Sequence, residues 1–384
     1  MSWFSQVNKN VRILLTGANG FIGKNLKLCL SEIPEVEVSQ FNRNSDENSL
    51  ENLIENCDFI IHLAGINRPT EERDFLRVNE GLTKQICNLA ERCRKSLPIL
   101  FASSIQAEKN NPYGKSKRAA ENILLDYQQR GCGNVYIYRL PGVMGKWARP
   151  EYNSVVATFC HNIIHGLPIR IDDPDTPLSL VYIDDVTSDF IDKLLTLPSP
   201  TPGFEKVGPQ YEIKVGELAK ILYEFKERRE SSYVEDVGTG FMRALYSTFL
   251  SYYREEKFSY RIPFAVDDRG LFAEFLKTKN AGQVSFFTCR PGKTRGSHYH
   301  HTKTEKFIVI QGSAIFRFRN LLDGSIHEMS VSDKVPEVVE SIPGWVHEIT
   351  NPSSEKMIVM IWANEVYNEE KSDTFKAKVC NDQE

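Results

Sequence analysis

The pattern of apolar and polar positions changes once along the chain. Up to about Asp192, short apolar runs of strand length alternate with segments in which apolar residues recur at helical spacing. Such alternation is typical of a doubly wound parallel sheet with helices on both faces. The predicted strands are Val11–Thr16, Asp58–Ala64, Ile99–Ser103 and Val135–Arg139, and the predicted helices are Gly23–Glu32, Val78–Lys95 and Pro112–Gln129.

After about Phe258 the pattern consists of strands and turns alone. Apolar or alternating runs are separated by Gly, Pro, Asn and Asp, which predicts an antiparallel barrel or two-sheet sandwich of the jelly-roll kind. Between the two patterns, a charged stretch at 226–230 precedes an aromatic, helix-like segment at 241–253. We therefore predict an α/β Rossmann-type domain over residues 1–243, a connecting segment over 244–257 and an all-β domain over 258–384.

Composition narrows the function classes. A chain of 384 residues with 41% hydrophobic and 26% charged residues is typical of a soluble globular protein with more than one core. The net charge of -4 argues against nucleic acid as a partner, and no apolar run is long enough for a membrane span or leader. Eight scattered cysteines without a Cys-x-x-Cys pair indicate reduced thiols, so we expect a cytoplasmic protein.

A glycine-rich turn follows the first predicted strand. The segment Thr16-Gly17-Ala18-Asn19-Gly20-Phe21-Ile22-Gly23 leads directly into a predicted helix. Glycines at 17, 20 and 23 allow a tight turn and let the backbone approach a pyrophosphate at the helix N-terminus. We therefore predict that residues 17 and 20–23 bind a dinucleotide, although a plain strand–turn–helix junction would show a similar pattern.

The end of the second predicted strand indicates which dinucleotide is bound. NAD-binding folds place an acidic residue there, about 20 residues after the glycine turn, to bind the ribose 2′-hydroxyl. This chain has Arg43 at that place and no carboxylate before Asp46. Because a guanidinium suits a 2′-phosphate, the sequence predicts NADPH over NADH, with a solvated surface arginine as the alternative.

Three polar residues predict a catalytic group. Tyr113 and Lys117 lie one turn apart on the same face of a predicted helix. An ammonium near a phenol is expected to lower the pKa of Tyr113 and make it a usable proton donor or acceptor. Ser104 follows a strand at the carboxyl edge of the sheet, where its hydroxyl can bond a carbonyl that is being reduced.

These residues resemble the extended short-chain dehydrogenase/reductase family. The likeness comprises the glycine turn, Asp58, His62-Leu63-Ala64-Gly65, Asn79, Ser104, Tyr113, Lys117 and the segment Tyr182-Ile183-Asp184-Asp185-Val186. The resemblance implies reduction at a sugar carbon, with Tyr113 as the acid and Lys117 also holding the nicotinamide ribose. It also implies that Leu63, Ala64 and Gly65 contact the cofactor.

A histidine cluster lies in the predicted all-β domain. His298 and His300 project from one face of a strand, and Glu305 and His347 can converge on them from neighbouring strands. Three imidazoles and a carboxylate suit zinc, manganese, iron or nickel, and ligand type alone does not choose between them. We expect one divalent ion, zinc, bound by these four residues. A surface histidine cluster is the alternative.

These strings resemble the two cupin motifs, over roughly the last 120 residues. That resemblance implies a barrel with the site inside it, but no particular reaction, since cupins include isomerases, oxygenases and binding modules.

The order of the two domains resembles a family of bifunctional capsular-polysaccharide enzymes. The likeness runs along nearly the whole chain and is strongest at residues 103–107, 111–114, 152–155, 266–270 and 300–303. It implies that the cupin epimerises C3 of a UDP-linked 4-keto-hexose. The reductase then reduces C4 with NADPH and yields UDP-2-acetamido-2,6-dideoxy-L-talose. A homodimer is usual for both folds. Two alternatives are a reductase whose cupin is only a structural metal or dimerisation module, and a non-catalytic nucleotide-sensing protein.

Overall fold

A computed structural model describes residues 10–380, except 44, 47, 70, 72, 94, 201–202, 231–232, 262–263, 268–269, 274–275, 279–281 and 366–368. Two compact units are present, and each is described by itself. The first comprises residues up to 143 together with 151–154 and 178–212, and the second comprises 144–150, 155–177 and the residues from 213 onward. The predicted domain boundaries at 243 and 257 stay a prediction.

The first unit is built on a parallel sheet. Its strands are β1 (Val11–Thr16), β2 (Val36–Phe41), β3 (Phe59–His62), β4 (Ile99–Ser104) and β5 (Val135–Leu140). They lie in the order β2-β1-β3-β4-β5, and every neighbouring pair is parallel. Because the chain order reverses at β1, the carboxyl ends of β1 and its neighbours form the edge where ligands bind in such sheets.

The helices agree with the helical spacing of apolar residues. They are α1 (Phe21–Ser31), α2 (Ser49–Glu55), α3 (Arg73–Phe75), α4 (Leu82–Arg92), α5 (Pro112–Gln129), α6 (Val155–His165), α7 (Ile183–Thr196), α8 (Val215–Glu230) and α9 (Gly240–Leu250). A π-helical segment, Leu76–Gly81, precedes α4, and short 3₁₀ helices occur at Ile105–Glu108, Glu255–Lys257 and Glu369–Lys371. The long helix predicted over 78–95 is therefore partly π-helical.

Both faces of the parallel sheet are covered. Successive residues of a strand point to opposite faces, and Leu14 and Leu15 of β1 accordingly enter two different cores. Leu15 packs with residues of α1 and α7, and Leu14 packs with residues of α2, α4 and α5. All of the strand residues in these cores are nearly or completely buried. This arrangement confirms the predicted doubly wound Rossmann-type fold.

The remaining strands complete the topology. A three-stranded sheet contains β6 (Gly142–Met144), β7 (Pro177–Tyr182) and β8 (Gln210–Lys214). The others are β9 (Tyr233–Val234), β10 (Ser259–Arg261), β11 (Phe264–Asp267), β12 (Gly270–Ala273), β13 (Lys277–Thr278), β14 (Gln283–Cys289), β15 (Thr294–Tyr299), β16 (Glu305–Gln311), β17 (Ser313–Asn320), β18 (Ile326–Ser332), β19 (Glu337–Ser341), β20 (Trp345–Thr350), β21 (Met357–Ala363) and β22 (Phe375–Lys376).

Two antiparallel sheets make up most of this all-β region. One has the order β10-β19-β16-β21-β14 and the other β18-β17-β20-β15-β22. Phe307 of β16 and Phe316 of β17 pack with ring centroids 5.7 Å apart, so the inner faces of the two sheets share a core. The predicted succession of a parallel sheet and an antiparallel all-β region is confirmed. Within the described residues, no helix has the length and apolar character needed to cross a membrane.

Candidate reductase and metal sites

The glycine turn lies at the carboxyl end of β1. Gly17 has a φ of +73°, which a residue with a side chain rarely adopts. A Cβ atom on Gly17 would lie 2.6 Å from the backbone nitrogen of Ala64 and 2.7 Å from the carbonyl carbon of Leu63. A Cβ atom on Gly23 would lie 2.2 Å from the carbonyl oxygen of Gly17. The turn therefore has its tight geometry because these two positions lack side chains.

The N-terminus of α1 is suited to an anion. Gly20 precedes the helix, no side chain caps it, and Phe21, Ile22 and the rest of the first turn include no acidic residue. The first N–H groups of a helix have no partner within the helix, and the helix dipole favours negative charge beside them. The residues predicted to bind the pyrophosphate are thus brought together, and their backbone fits that group.

Arg43 lies beyond the same sheet edge. Strand β2 is parallel to β1 and ends with Phe41, which is paired with Thr16. Arg43 follows in an exposed turn that is closed by a hydrogen bond from the Ser45 N–H to the carbonyl oxygen of Asn42 (2.9 Å). Its position therefore agrees with the predicted contact to a ribose phosphate, and its guanidinium is accessible.

Local sequence explains how α5 presents Tyr113. The side chain of Asn111 accepts a hydrogen bond from the Gly114 N–H over 2.7 Å and caps the helix. Pro112 occupies the first helical position, where its missing N–H costs nothing. Tyr113 consequently lies in the first turn, with its ring 5.9 Å from that of Phe75.

The phenol of Tyr113 is bonded by Ser104. Burial raises the pKa of Tyr113, and the hydrogen bond from Ser104 opposes that rise without cancelling it. The expectation that Lys117 lowers this pKa is therefore wrong for the chain alone: burial has the larger effect. A raised pKa keeps the phenol protonated near neutral pH, so Tyr113 has a proton that it can donate.

Lys117 is buried one helical turn later. Its ammonium donates a hydrogen bond to the carbonyl oxygen of Ala102 over 2.8 Å and lies 4.7 Å from the ring centroid of Phe101. Burial lowers the pKa of Lys117 to about 8, and the negative charge of Glu121 limits this decrease. A Cβ atom on Gly65 would lie 3.3 Å from Nζ, so Lys117 also lies beside the predicted cofactor-binding segment after β3.

A buried chain of hydrogen bonds joins these segments. The Ala64 N–H donates to the hydroxyl oxygen of Thr16 (3.1 Å), and the Thr16 hydroxyl pairs with Nδ1 of His62 (2.7 Å). The Thr83 hydroxyl donates to the carbonyl oxygen of Asn79 (2.7 Å), so its oxygen accepts a hydrogen bond from the Nε2–H of His62 (3.0 Å). Burial, with the positive charge of Lys117, lowers the pKa of His62 to about 3, so the ring is neutral.

Glu121 is a site residue that the motifs did not single out. It is buried one turn after Lys117, pairs with Arg139 over 2.6 Å and accepts a hydrogen bond from the Ser103 hydroxyl. Three successive residues of β4, Ala102 to Ser104, therefore contact Lys117, Glu121 and Tyr113 in turn. The signal was available in the sequence, because Glu121 continues the four-residue spacing of Tyr113 and Lys117.

Four side chains converge in the all-β region. His298 is the last residue but one of β15, and His300 directly follows that strand. Glu305 is the first residue of β16, and His347 lies on β20. One ligand atom from each lies within 4.8 Å of those of the others. A β-bulge at Ser297, whose φ is +58°, alters the register of β15 and pairs His298 with His347. The four predicted metal ligands are thus brought together from three strands and a turn.

The distances suit a divalent ion. Oε2 of Glu305 lies 3.2 Å from Nε2 of His300 and 3.4 Å from Nε2 of His347. Neighbouring ligands of a tetrahedral ion, with bonds of about 2.0–2.1 Å, are about 3.3 Å apart. Nδ1 of His347 is buried and has no hydrogen-bond partner in the described part of the chain.

The protonation of His298, His347 and Glu305 also fits. Burial lowers the pKa of His298 to about 3 and lowers that of His347. Burial alone would raise the pKa of Glu305, but the adjacent His300 and His347 lower it well below its usual range. Two neutral imidazoles and a carboxylate are forms in which these groups bind metals. The donor set therefore fits a divalent cation held by His298, His300, Glu305 and His347.

Comparison with known proteins agrees with the division into two parts. Residues 13–201 match the NAD dependent epimerase/dehydratase family, and residues 265–375 match the polysaccharide biosynthesis C-terminal domain family. The first match supports a nicotinamide cofactor. The crystal structure of UDP-glucuronic acid 4-epimerase from Bacillus cereus is similar over 56% of this chain and 83% of its own, with 18% identity and a TM-score of 0.52. That likeness concerns the fold alone.

Two proteins are similar along almost the entire chain. The UDP-2-acetamido-2,6-beta-L-arabino-hexul-4-ose reductase of Pseudomonas aeruginosa is 50% identical over 370 residues, which are 96% of this chain and 99% of that protein. The capsular polysaccharide assembling protein CapF of Staphylococcus aureus is 37% identical, with a TM-score of 0.65 over 96% of this chain and 100% of its own. The resemblance to capsular-polysaccharide enzymes is thereby confirmed, and the chain belongs to the family of this reductase and CapF.

Proposed function

We propose that the chain reduces the 4-keto group of a UDP-linked 2-acetamido-2,6-dideoxy-hexose with NADPH, after its metal site has epimerised C3 of the same sugar. The product is UDP-2-acetamido-2,6-dideoxy-L-talose, a precursor for surface polysaccharide. The observation that carries the proposal is the convergence of Ser104, Tyr113 and Lys117 at the end of β4, in the same unit as the glycine turn. The reductase name of the half-identical relative supports the substrate.

The side chains have complementary tasks in the reduction. Bound NADPH supplies the hydrogen and the two electrons that convert the carbonyl carbon to an alcohol carbon. Tyr113 donates its phenolic proton to the sugar oxygen, because its raised pKa keeps it protonated near neutral pH. The Ser104 hydroxyl, already bonded to the phenol, orients the same oxygen. Lys117, with a pKa of about 8, is mainly cationic at pH 7 and lies beside Gly65, where its ammonium holds the nicotinamide ribose.

The choice of NADPH is supported by Arg43. The exposed guanidinium lies beyond the carboxyl end of β2, where the ribose of a dinucleotide bound at the glycine turn is recognised in this fold. The first carboxylate after Arg43 in the sequence is that of Asp46. This carboxylate accepts a hydrogen bond from the Asn48 N–H over 3.1 Å.

Epimerisation must precede reduction. A ketone at C4 acidifies the neighbouring C3–H bond, and reduction removes that ketone. A divalent ion at His298, His300, Glu305 and His347 supplies positive charge that polarises a carbonyl group. The convergence of these four groups, with His300 and His347 buried, favours a built metal site over a surface histidine cluster. We expect zinc, which three imidazoles and a carboxylate suit.

The experiment is direct. The purified chain is incubated with NADPH and the UDP-linked 4-keto-sugar, NADPH consumption is followed by absorbance, and the product is identified by NMR. The expected product is the reduced L-talo sugar. Without NADPH consumption the reductase is refuted and a nucleotide-binding role remains. A reduced product with unchanged C3 configuration would restrict the chain to reduction, with a structural metal site.

We further propose that the chain acts as a homodimer. Val284 and Phe286 lie on β14, an edge strand of its sheet, and are 55% and 68% exposed. Exposed apolar side chains on an edge strand are typical of a surface that pairs with another strand or sheet. Light scattering of the unmodified protein should give a particle mass of about twice the 43.9 kDa of one chain. The Phe286→Glu variant should give a lower particle mass.

A further inference from the structure

A carboxylate outside the sequence motifs organises the turn between two proposed metal ligands. Asp373 lies after β21, and its Oδ1 accepts a hydrogen bond from the His301 N–H over 2.9 Å. Its Oδ2 accepts the N–H groups of Thr302 and Lys303, each over 2.7 Å. The hydroxyl of Thr302 donates to the same oxygen over 3.0 Å. One side chain thus accepts four hydrogen bonds from three successive residues.

The turn that Asp373 binds is the one that sets the ligand spacing. His300 lies at its beginning and Glu305 at its end, with their ligand atoms 3.2 Å apart. Successive N–H groups that converge on one anion form a rigid concave backbone. The four hydrogen bonds that the carboxylate accepts hold this turn in one conformation.

The backbone of Asp373 also determines the tautomer of His300. Nδ1 of His300 lies in hydrogen-bonding contact with the carbonyl oxygen of Asp373. Because a carbonyl oxygen can only accept, Nδ1 carries a proton, and Nε2, which faces Glu305, is the nitrogen available to bind an ion. Metal-binding histidines commonly donate their second N–H in this way, and the contact fixes the ring orientation.

The segment around Asp373 is itself held against β15. Strand β22 pairs with β15 through His298 with Lys376 and Tyr299 with Phe375. The rings of Tyr299 and Phe375 stack with centroids 5.4 Å apart. The Ala377 N–H donates to the carbonyl oxygen of Ser297 over 2.9 Å. Asp373 is therefore anchored to the strand that carries His298.

We infer that Asp373 is a positioning residue of the metal site. Its carboxylate sets the distance between His300 and Glu305, and its carbonyl directs Nε2 of His300 into the site. Asp373 does not contact the ion. The inference rests on the metal site proposed above. Removing an outer partner of a metal ligand commonly weakens metal affinity by about ten- to a hundredfold, and we expect that range here.

The test compares two aspartates that both close turns of the all-β region. Asp373→Asn keeps the size and the backbone carbonyl, but its amide nitrogen cannot accept the N–H groups of the turn. Asp323→Asn is the matched control, because the hydrogen bonds of Asp323, such as that from the Ser325 N–H (2.8 Å), are local to the turn between β17 and β18. Zn²⁺ affinity is measured by competition with a chromophoric chelator. The visible spectrum of the Co²⁺-loaded protein reports ligand geometry.

We expect Asp373→Asn to bind Zn²⁺ at least about tenfold more weakly and to change the Co²⁺ bands. Asp323→Asn should match the unmodified chain in both measurements. Thr302→Val removes only the hydroxyl bond to Asp373 and should weaken binding by a smaller factor. If Asp373→Asn does not fold, as judged by circular dichroism, the Thr302→Val affinity decides.

Unchanged Zn²⁺ affinity and an unchanged Co²⁺ spectrum in folded Asp373→Asn would overturn the inference and leave the metal site standing. So would unchanged affinity in Thr302→Val if the first variant is unfolded. Failure of the unmodified chain to bind Zn²⁺ or Co²⁺ would overturn the metal site itself, and this inference with it.

Discussion

The ammonium group of Lys117 donates a hydrogen bond to the carbonyl oxygen of Ala102 over 2.8 Å. This bond holds the lysine against β4 two residues before Ser104, whose hydroxyl bonds the phenol of Tyr113. The strand end thus fixes the positions of both the lysine and the tyrosine. Burial raises the pKa of Tyr113 more than the hydrogen bond from Ser104 lowers it, so the phenol stays protonated near neutral pH.

Replacing Tyr113 by Phe should abolish NADPH oxidation with the keto-sugar and leave NADPH binding nearly intact. The phenol is the proton donor, and its loss should lower kcat by about 10²-fold or more. Steady-state kinetics measures the turnover, and calorimetry measures NADPH binding as the control. A variant that turns over within threefold of the unmodified chain would show that another group donates the proton.

The unmodified chain should bind NADPH at least tenfold more tightly than NADH, and Arg43→Ala should remove most of that difference. A guanidinium–phosphate pair contributes about 1.5–3 kcal/mol, which is enough for a tenfold ratio. Arg170→Ala is the control, because Arg170 is an exposed arginine that pairs with Asp172 in the other unit. Equal dissociation constants for the two dinucleotides in the unmodified chain would refute the assignment.

Acid should destabilise the chain through His62. Its pKa is about 3 in the folded chain and near 6.5 when unfolded, so only the unfolded chain gains this proton between those values. Stability contributed by neutral His62 is therefore present above about pH 6.5 and is lost as the pH falls towards 3. Over that window the unfolding free energy of the unmodified chain should rise with pH more steeply than that of the His62→Asn variant. The two slopes should differ by up to about 1.4 kcal/mol per pH unit.

Urea unfolding at a series of pH values measures this difference between the two proteins. Above about pH 7.5 the slopes should coincide, because His62 is then neutral in both states, which provides an internal control. Parallel curves from pH 6.5 down to pH 4 would show that His62 is protonated in the folded chain.

Gly23→Ala should destabilise the first unit and weaken NADPH binding. The new Cβ atom would lie 2.2 Å from the carbonyl oxygen of Gly17, so the turn must shift, at a cost of about 1–3 kcal/mol. Gly81→Ala is the control, because the nearest atom to its Cβ is the carbonyl oxygen of Leu76 at 3.7 Å, an ordinary contact. Denaturant unfolding and calorimetry should separate the two variants. Identical unfolding free energies would contradict the predicted close approach.

Sequence patterns were sufficient where periodicity and chemistry coincide. The alternation of strand-length apolar runs with helical segments predicted the parallel sheet, in which Leu14 and Leu15 enter two different cores. The four-residue spacing predicted the shared face of Tyr113 and Lys117. The strand predicted at 11–16 has those bounds in the structure. In these segments the local periodicity of apolar residues agrees with the packing of those residues in the folded chain.

Other features depend on contacts that no local pattern reports. Asp373 binds a turn that lies about seventy residues earlier in the chain. No motif in the sequence around Asp373 predicts this contact. The charged stretch at 226–230 indicated the end of the first pattern, but nothing in it showed that Arg229 is buried and forms an ion pair with Glu340. Charge alone does not distinguish a surface arginine from one whose partner lies over a hundred residues later.

The central claim is that one site epimerises and the other reduces. His298→Gln with His347→Gln should remove the metal, because two of four ligands are lost. Loss of the ion should also lower the thermal stability of the all-β region, because binding to the folded state adds to its stability. The cofactor turn lies in the other unit, so this double variant should still bind NADPH and reduce a sugar that is already epimerised.

The most direct measurement is mass spectrometry of the product formed in D₂O, with the metal content determined in parallel. The unmodified chain should incorporate solvent deuterium at C3, the carbon beside the ketone, and the folded, metal-free double variant should incorporate none. Undiminished deuterium uptake in that variant would contradict the account, because the metal ligands would then have no part in epimerisation.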